Sequence, residues 1–209
     1  MTYKLEKASG GKVKQTKYLK KNPLRRYLIQ QYLDTVALLA RSTDGRTILD
    51  VGCGEGFVVR HLHGERPELQ PSGVDIDPAV LKVAAYQNPG CLFAVAQATR
   101  LPAATAGFDL VLCNEVLEHL DAPEAALREI GRVARRYFIF SVPREPHYRL
   151  ANMLVGANWS RWGDDEDHRQ RWTRGQFVAM LAAHFDVLAV RTPFPWTMAL
   201  CQKKARNGQ

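Results

Sequence analysis

The chain has 209 residues, 46% hydrophobic and 24% charged, enough for one sizeable core and too few for several domains. Its net charge of +8 is concentrated: residues 1–26 hold nine Lys/Arg against one Glu, leaving 29 − 9 = 20 basic and 21 − 1 = 20 acidic residues in a neutral remainder. No apolar run approaches a membrane span, the N-terminus lacks a signal-peptide core, and Cys53, Cys91, Cys113 and Cys201 are scattered with no Cys-x-x-Cys pair, which leads us to expect a reduced, cytoplasmic protein.

In chain order, residues 1–21, with Ser9-Gly10-Gly11, read as a basic flexible extension, and 22–209 as a single domain. Residues 1–26 are suited to steering nucleic acid, an acidic partner or an anionic membrane surface; the plainer reading is a solubilising tail. A helix over 23–40 starts at Asn22-Pro23, with Leu24, Leu28, Tyr32 and Leu33 on its apolar face. A strand over 46–51 carries Asp50 near its end and empties into Gly52, Gly54 and Gly56, after which a helix over 56–63 begins. Glycines between a strand and a helix let the backbone approach a ligand, and the helix N-terminus points its N–H groups at it. No Gly-Lys-Ser/Thr follows, which excludes a P-loop, and the spacing is not Gly-x-Gly-x-x-Gly, which weakens a dinucleotide reading.

The next strand, 70–75, ends in Asp75, about twenty residues past the glycines, where a carboxylate can accept from both ribose hydroxyls. Asp77 before Pro78 reads as the N-cap of a helix over 78–87. Strands over 91–96 and 108–113 follow, the first leading into Gln97-Ala98 and the second into Asn114. On a short helix over 116–120, Glu115, Glu118 and His119 stand at i, i+3 and i+4 and share a face. Two carboxylates and an imidazole form a half-shell for Mg²⁺ or Mn²⁺, with His168 as the candidate fourth ligand. A helix over 123–134 and a strand over 136–142 come next. Residues 143–172, with Pro143, Pro146, Trp159, Trp162, Trp172 and the acidic run 164–167, break the alternation and read as a substrate-facing lid. His147 and Tyr148 stand at its start as general-base candidates. Thr173 is placed as the N-cap of a helix over 173–184, followed by strands over 185–190 and 197–202. This alternation predicts an α/β fold with a doubly wound, Rossmann-like parallel sheet.

Three segments, Asp50-Val-Gly-Cys-Gly-Glu-Gly56, Gly73-Val-Asp-Ile-Asp-Pro78 and Phe108-Asp-Leu-Val-Leu-Cys-Asn-Glu-Val-Leu-Glu-His-Leu120, resemble successive motifs of class I S-adenosylmethionine-dependent methyltransferases, in their order and spacing. The resemblance implies a seven-stranded sheet with its last strand antiparallel and helices on both faces. It implies S-adenosyl-L-methionine as cofactor. Asp50 would orient the methionine amino group, Gly52, Gly54 and Gly56 would give backbone access, and Asp75 would hold the ribose. Ile76 and Asp77 would flank the adenine, with Gln97-Ala98 where the family usually has Asp-Ala. Asn114 would line the methionine end or the approach to the transferred methyl.

Glu-x-x-Glu-His with a later His before Trp-Thr is also similar to metal-dependent small-RNA 3′-terminal 2′-O-methyltransferases. Its first part is similar to ubiquinone-pathway O-methyltransferases. In both, a metal would hold adjacent hydroxyls and acidify one of them. The expectation is therefore O-methylation of a small molecule or lipid-linked intermediate, with His119, His147 or Glu115 as catalytic candidates and a divalent ion on Glu115, Glu118, His119 and His168. The alternative is RNA 2′-O-methylation anchored by residues 1–26. A third reading, a non-catalytic cofactor-binding subunit, conflicts with the intact Asp50, glycines and Asp75.

Overall fold

A computed structural model describes residues 22–154 and 167–205; the basic extension, Trp159, Trp162 and residues 164–166 of the acidic run lie outside the described residues. Helix α1 (Pro23–Arg41) starts where Asn22 accepts hydrogen bonds from the N–H groups of Leu24 and Arg25, at 2.9 and 3.3 Å. Of the expected apolar face, Tyr32 and Leu33 are buried and Leu28 packs against the core, while Leu24 is 44% exposed; Val36, Ala37, Leu39 and Ala40 extend the buried face through the second half of the helix.

Strand β1 (Thr47–Val51), helix α2 (Phe57–Glu65), strand β2 (Gln70–Asp75), helix α3 (Pro78–Gln87) and strand β3 (Leu92–Val95) follow in strict alternation. Strand β4 (Phe108–Asn114) leads into a single 3₁₀ turn (Leu117–His119) and helix α4 (Pro123–Val133). Pro123, Ala126, Leu127, Ile130 and Val133 of α4 are buried at the helical period that fixes it to the sheet. Then come β5 (Ala134–Pro143), α5 (His147–Leu154), α6 (Arg174–His184), β6 (Phe185–Arg191) and β7 (Trp196–Lys203). Helix α5 was not expected. Pro143 and Pro146 read as loop residues, yet a proline just ahead of a helix is compatible with its start.

The seven strands form one sheet in the order β3-β2-β1-β4-β5-β7-β6. Strands β1 to β5 pair in parallel, and β7 runs antiparallel to both β5 and β6. Both faces are covered, as alternate side chains show. Leu110, Leu112, Tyr137 and Ile139 face a core shared with α1 and α2, while Val111, Cys113, Phe138 and Phe140 face one shared with α4 and α6. The reversal of strand order between β1 and β4 leaves a crevice at the carboxyl ends of the strands, where open α/β sheets take their ligands. Among the described residues no helix is long and apolar enough to cross a membrane.

Candidate active site

Asp50 sits in β1 opposite Gly73 of β2 and Leu112 of β4 and is 2% exposed. Burial, reinforced by the negative charge of Asp75, pushes its carboxyl from the ordinary 3.8 up to about 8. The glycine turn that follows is tied to β2: the N–H groups of Gly52 and Cys53 donate to the Val74 carbonyl at 2.8 and 3.0 Å. Gly54 donates to Oδ2 of Asp75 at 2.9 Å. Gly54 has φ +52 and a Cβ there would meet nothing within 4 Å, so this stretch of backbone faces open space. At Gly52 (φ +75) a Cβ would lie 2.2 Å from Cγ2 of Val116, so the turn also needs glycine to pass the segment after β4. Helix α2 begins at Gly56 without a side-chain cap, leaving its first N–H groups directed at the crevice.

The other Asp75 oxygen accepts the Asp77 N–H at 3.0 Å, which fixes the carboxylate at the end of β2. Ile76 is 66% exposed beside it. Asp77 caps α3 through the Ala79 N–H at 2.7 Å, the role read from its place before Pro78. The chain after β3 is brought to the same end, with Ala96 N–H donating to the Asp75 carbonyl at 2.9 Å; there Gln97 is exposed and Ala98 packs against the core. Cys53, Cys113 and Cys201 are buried thiols pushed up by burial, Cys201 to about 12, and all are free. None is poised as a nucleophile.

The other end of the crevice departs from the expected helix face. Glu115 has φ +58, a left-handed conformation uncommon for a side-chain-bearing residue, and only one 3₁₀ turn follows it. Its carboxylate is engaged by Trp196 and Ser141. Oε2 accepts the Trp196 indole N–H at 2.7 Å, and Oε1 accepts the Ser141 hydroxyl at 3.5 Å. Ser141 in turn shares a 2.7 Å hydrogen bond with the Tyr32 hydroxyl, and Tyr32 packs edge-on against Trp196 at 4.9 Å. Sequence reading missed Trp196, Ser141 and Tyr32. They come from β7, β5 and α1, and no local spacing links them.

Glu118, His119 and His168 do converge, each offering a ligand atom within 4.8 Å of the others; Glu115 and His147 are not in this group. Glu118 and His168 are 1% and 6% exposed. Both the Arg169 and Gln170 N–H groups donate to the Glu118 carbonyl, at 2.8 and 2.9 Å, holding this segment against the turn. His119 donates from Nδ1 to the Asp167 carbonyl at 2.9 Å, which fixes its tautomer and leaves Nε2 as a lone-pair donor. The rings of His119 and Tyr148 lie 5.0 and 5.3 Å from His168. His147 opens α5 and packs edge-on against Phe194 at 6.2 Å. Trp172 packs on the core beside Phe177, and Thr173 caps α6 in a reciprocal box with Gln176.

A glycine turn between β1 and α2, an acid at the end of each of the first two strands and an antiparallel β7 within this strand order together define the class I S-adenosylmethionine-dependent methyltransferase architecture. The chain carries such a domain: residues 49–140 match the family described as "Methyltransferase domain". Among curated relatives, the malonyl-[acyl-carrier protein] O-methyltransferase of Hahella chejuensis is 34% identical over 104 residues, covering 49% of this chain and 37% of the relative. The ubiquinone biosynthesis O-methyltransferase of Thiobacillus denitrificans is 34% identical over 145 residues, covering 66% of this chain and 58% of the relative. The chain thus spans between about a third and three fifths of the length of these relatives. Among solved structures, magnesium protoporphyrin IX methyltransferase from Synechocystis PCC 6803, with bound S-adenosylhomocysteine, superposes with a TM-score of 0.68 at 17% identity. That match covers 88% of this chain and 89% of the other, and at this identity it speaks to the fold.

Proposed function

We propose that the protein transfers a methyl group from S-adenosylmethionine to a hydroxyl of a small or lipid-linked molecule, with a divalent cation at Glu118, His119 and His168. The observation that carries this reading is the convergence of one carboxylate and two imidazoles within 4.8 Å at the acceptor side of a methyltransferase fold. Carboxylate with imidazole suits Mn²⁺ better than Mg²⁺, which prefers oxygen ligands throughout. An ion held there would supply positive charge that lowers the pKa of a hydroxyl bound to it. The two curated relatives are named for O-methyl transfer, which supports oxygen as the acceptor atom.

The protein's own groups supply position, which carries much of the rate in a one-step in-line displacement. Asp50, whose carboxyl burial raises to about 8, would hold the cofactor's ammonium, a positive charge that favours its ionised form. Asp75, whose two oxygens accept from the Gly54 and Asp77 N–H groups, would use its remaining lone pairs for the ribose hydroxyls. The lid role proposed for 143–172 is supported at its described ends, where Arg169 and Gln170 bond to Glu118 and Arg144 pairs with Trp172.

A second reading, RNA 2′-hydroxyl methylation, draws on the nine Lys/Arg among residues 1–26. It requires RNA binding that falls steeply with salt and is lost when residues 1–21 are deleted. The deciding experiment is transfer of labelled methyl from S-adenosylmethionine to a panel of catechols, isolated phenols, amines and short RNA, with and without EDTA. The proposal expects labelled catechol-type acceptors, loss of label in EDTA and recovery with Mn²⁺. Labelling of amines or isolated hydroxyls that ignores EDTA would reject the metal-assisted form.

A further inference from the structure

Helices α1 and α2 lie against each other, with Leu33, Val36 and Ala37 of the first sharing a buried cluster with Val58 and Leu62 of the second. At the solvent edge of that seam, Asp34 of α1 meets His61 and Glu65 of α2, which stand at i and i+4 and share a face. Nε2 of His61 lies 3.6 Å from Oδ1 of Asp34 and 3.5 Å from Oε1 of Glu65. One ligand atom from each of the three falls within 4.8 Å of the others, in a group separate from Glu118, His119 and His168.

The imidazole nitrogen is the informative atom. It is closed off from solvent, yet it makes no hydrogen bond among the described residues. A buried polar atom in that state is costly, and native proteins rarely keep one without a reason. An ordinary charged pair does not supply the reason. A protonated imidazole would bring one carboxylate to about 2.7–3.2 Å, and both stand farther off. A shared ion does supply it. Ligand bonds of about 2.0–2.2 Å to a tetrahedral Zn²⁺ put neighbouring ligand atoms roughly 3.3–3.6 Å apart, in line with the separations found here. The two carboxylates are also held from behind, as metal ligands commonly are. Gln30 Nε2 donates to Oδ1 of Asp34 at 2.7 Å, and Arg41 pairs with Oε2 of Glu65, leaving Oε1 toward His61. Asp34 is half exposed, which leaves room for water in the fourth position.

We propose that Asp34, His61 and Glu65 form a second divalent-metal site, taking Zn²⁺ with water as the fourth ligand, that clamps α1 to α2. Both helices flank the crevice: Tyr32, two residues before Asp34, bonds Ser141 at 2.7 Å, and α2 opens at Gly56 of the glycine turn. The site does not depend on the acceptor-end reading. The test is calorimetric titration of Zn²⁺ into the full-length, chelator-treated protein, comparing wild type, His61→Ala and Asp34→Asn, with thermal midpoints measured with and without Zn²⁺. His61→Ala should take up one equivalent fewer than wild type, and Asp34→Asn should bind that equivalent at least tenfold more weakly. With Zn²⁺ about 100-fold above its Kd, the wild-type midpoint should rise by roughly 5–10 °C more than that of His61→Ala. The same equivalents at the same affinity in all three proteins would mean an adventitious ion only and would overturn the proposal. So would a midpoint shift that His61→Ala keeps in full. If His61→Ala fails to fold, the isosteric Asp34→Asn decides by its affinity. The readout is a difference between variants, so absence of a metal at Glu118, His119 and His168 would lower every count alike and leave this result standing.

Discussion

At the cofactor end of the site, residues 50–77 supply Asp50, the glycine turn, Asp75 and the cap of α3, and backbone bonds between adjacent parallel strands hold them. At the acceptor end, Glu118 and His119 meet His168 across a sequence separation close to the 48 residues between His119 and Asp167. The first arrangement is local and is set once β1 and β2 pair. The second depends on residues 167–170 packing back on a short 3₁₀ turn. The difference teaches that a ligand pocket written into one βαβ unit is fixed by its own strand pairing, while a side-chain cluster joined across distant segments is only as fixed as the backbone bonds that anchor them.

If the two ends are energetically separate, substitutions should divide cleanly between them. The largest effect is expected at the acceptor end. His168→Ala should weaken Mn²⁺ binding by on the order of 100-fold or more, beyond the loss typical of an outer-shell partner, with S-adenosylhomocysteine affinity within twofold by calorimetry. Asp50→Asn should do the reverse: a loss of S-adenosylhomocysteine affinity of roughly 10- to 100-fold, the worth of a charge-assisted hydrogen bond, with Mn²⁺ binding retained. Any variant that damages both ends equally would break the comparison.

A smaller effect concerns protons. The Asp50 carboxyl is raised to about 8 in the free protein, so its contribution to stability is full below the unfolded value near 3.8 and is lost as pH rises through 8. Asp50→Asn should flatten the stability profile across that window in chemical denaturation. Binding an ammonium ionises the group, so below pH 8 S-adenosylhomocysteine should bind with proton release. Titrations in two buffers of different ionisation heat would detect that release, and Asp50→Asn should abolish it. Smallest of all, Thr173→Ala removes the α6 cap and should cost about 1 kcal/mol of stability while leaving both ligands' affinities unchanged.

What was legible in the sequence follows the same division. The β1 and β2 ends, the Asp77 and Thr173 caps and the alternation of strands and helices rest on periodicity, glycine and capping chemistry, all of which act over a few residues; the antiparallel last strand came from the family resemblance. The shared helix face expected for Glu115, Glu118 and His119 is absent because the i, i+3, i+4 argument presumes a helix, whereas here a left-handed Glu115 precedes a single 3₁₀ turn and its carboxylate accepts from Trp196, 81 residues away. Helix α5 was hidden by two prolines that punctuate loops as often as they open helices. On α1 the spacing found Leu28, Tyr32 and Leu33, and overreached at Leu24, because amphipathic spacing shows which residues are able to be buried, and the sheet and α2 decide which are. The Glu118, His119 and His168 grouping was legible as chemistry, but its closeness depends on the backbone bonds from Arg169 and Gln170.

The central claim is that the acceptor end is a metal centre built from Glu118, His119 and His168 and not from Glu115. Its most direct test is calorimetric titration of Mn²⁺ into protein saturated with S-adenosylhomocysteine, comparing wild type, Glu118→Ala and Glu115→Gln. The account predicts a single-site isotherm that Glu118→Ala abolishes and Glu115→Gln keeps within twofold. Absence of specific heat in the wild type, or an equal loss in Glu115→Gln, would contradict it.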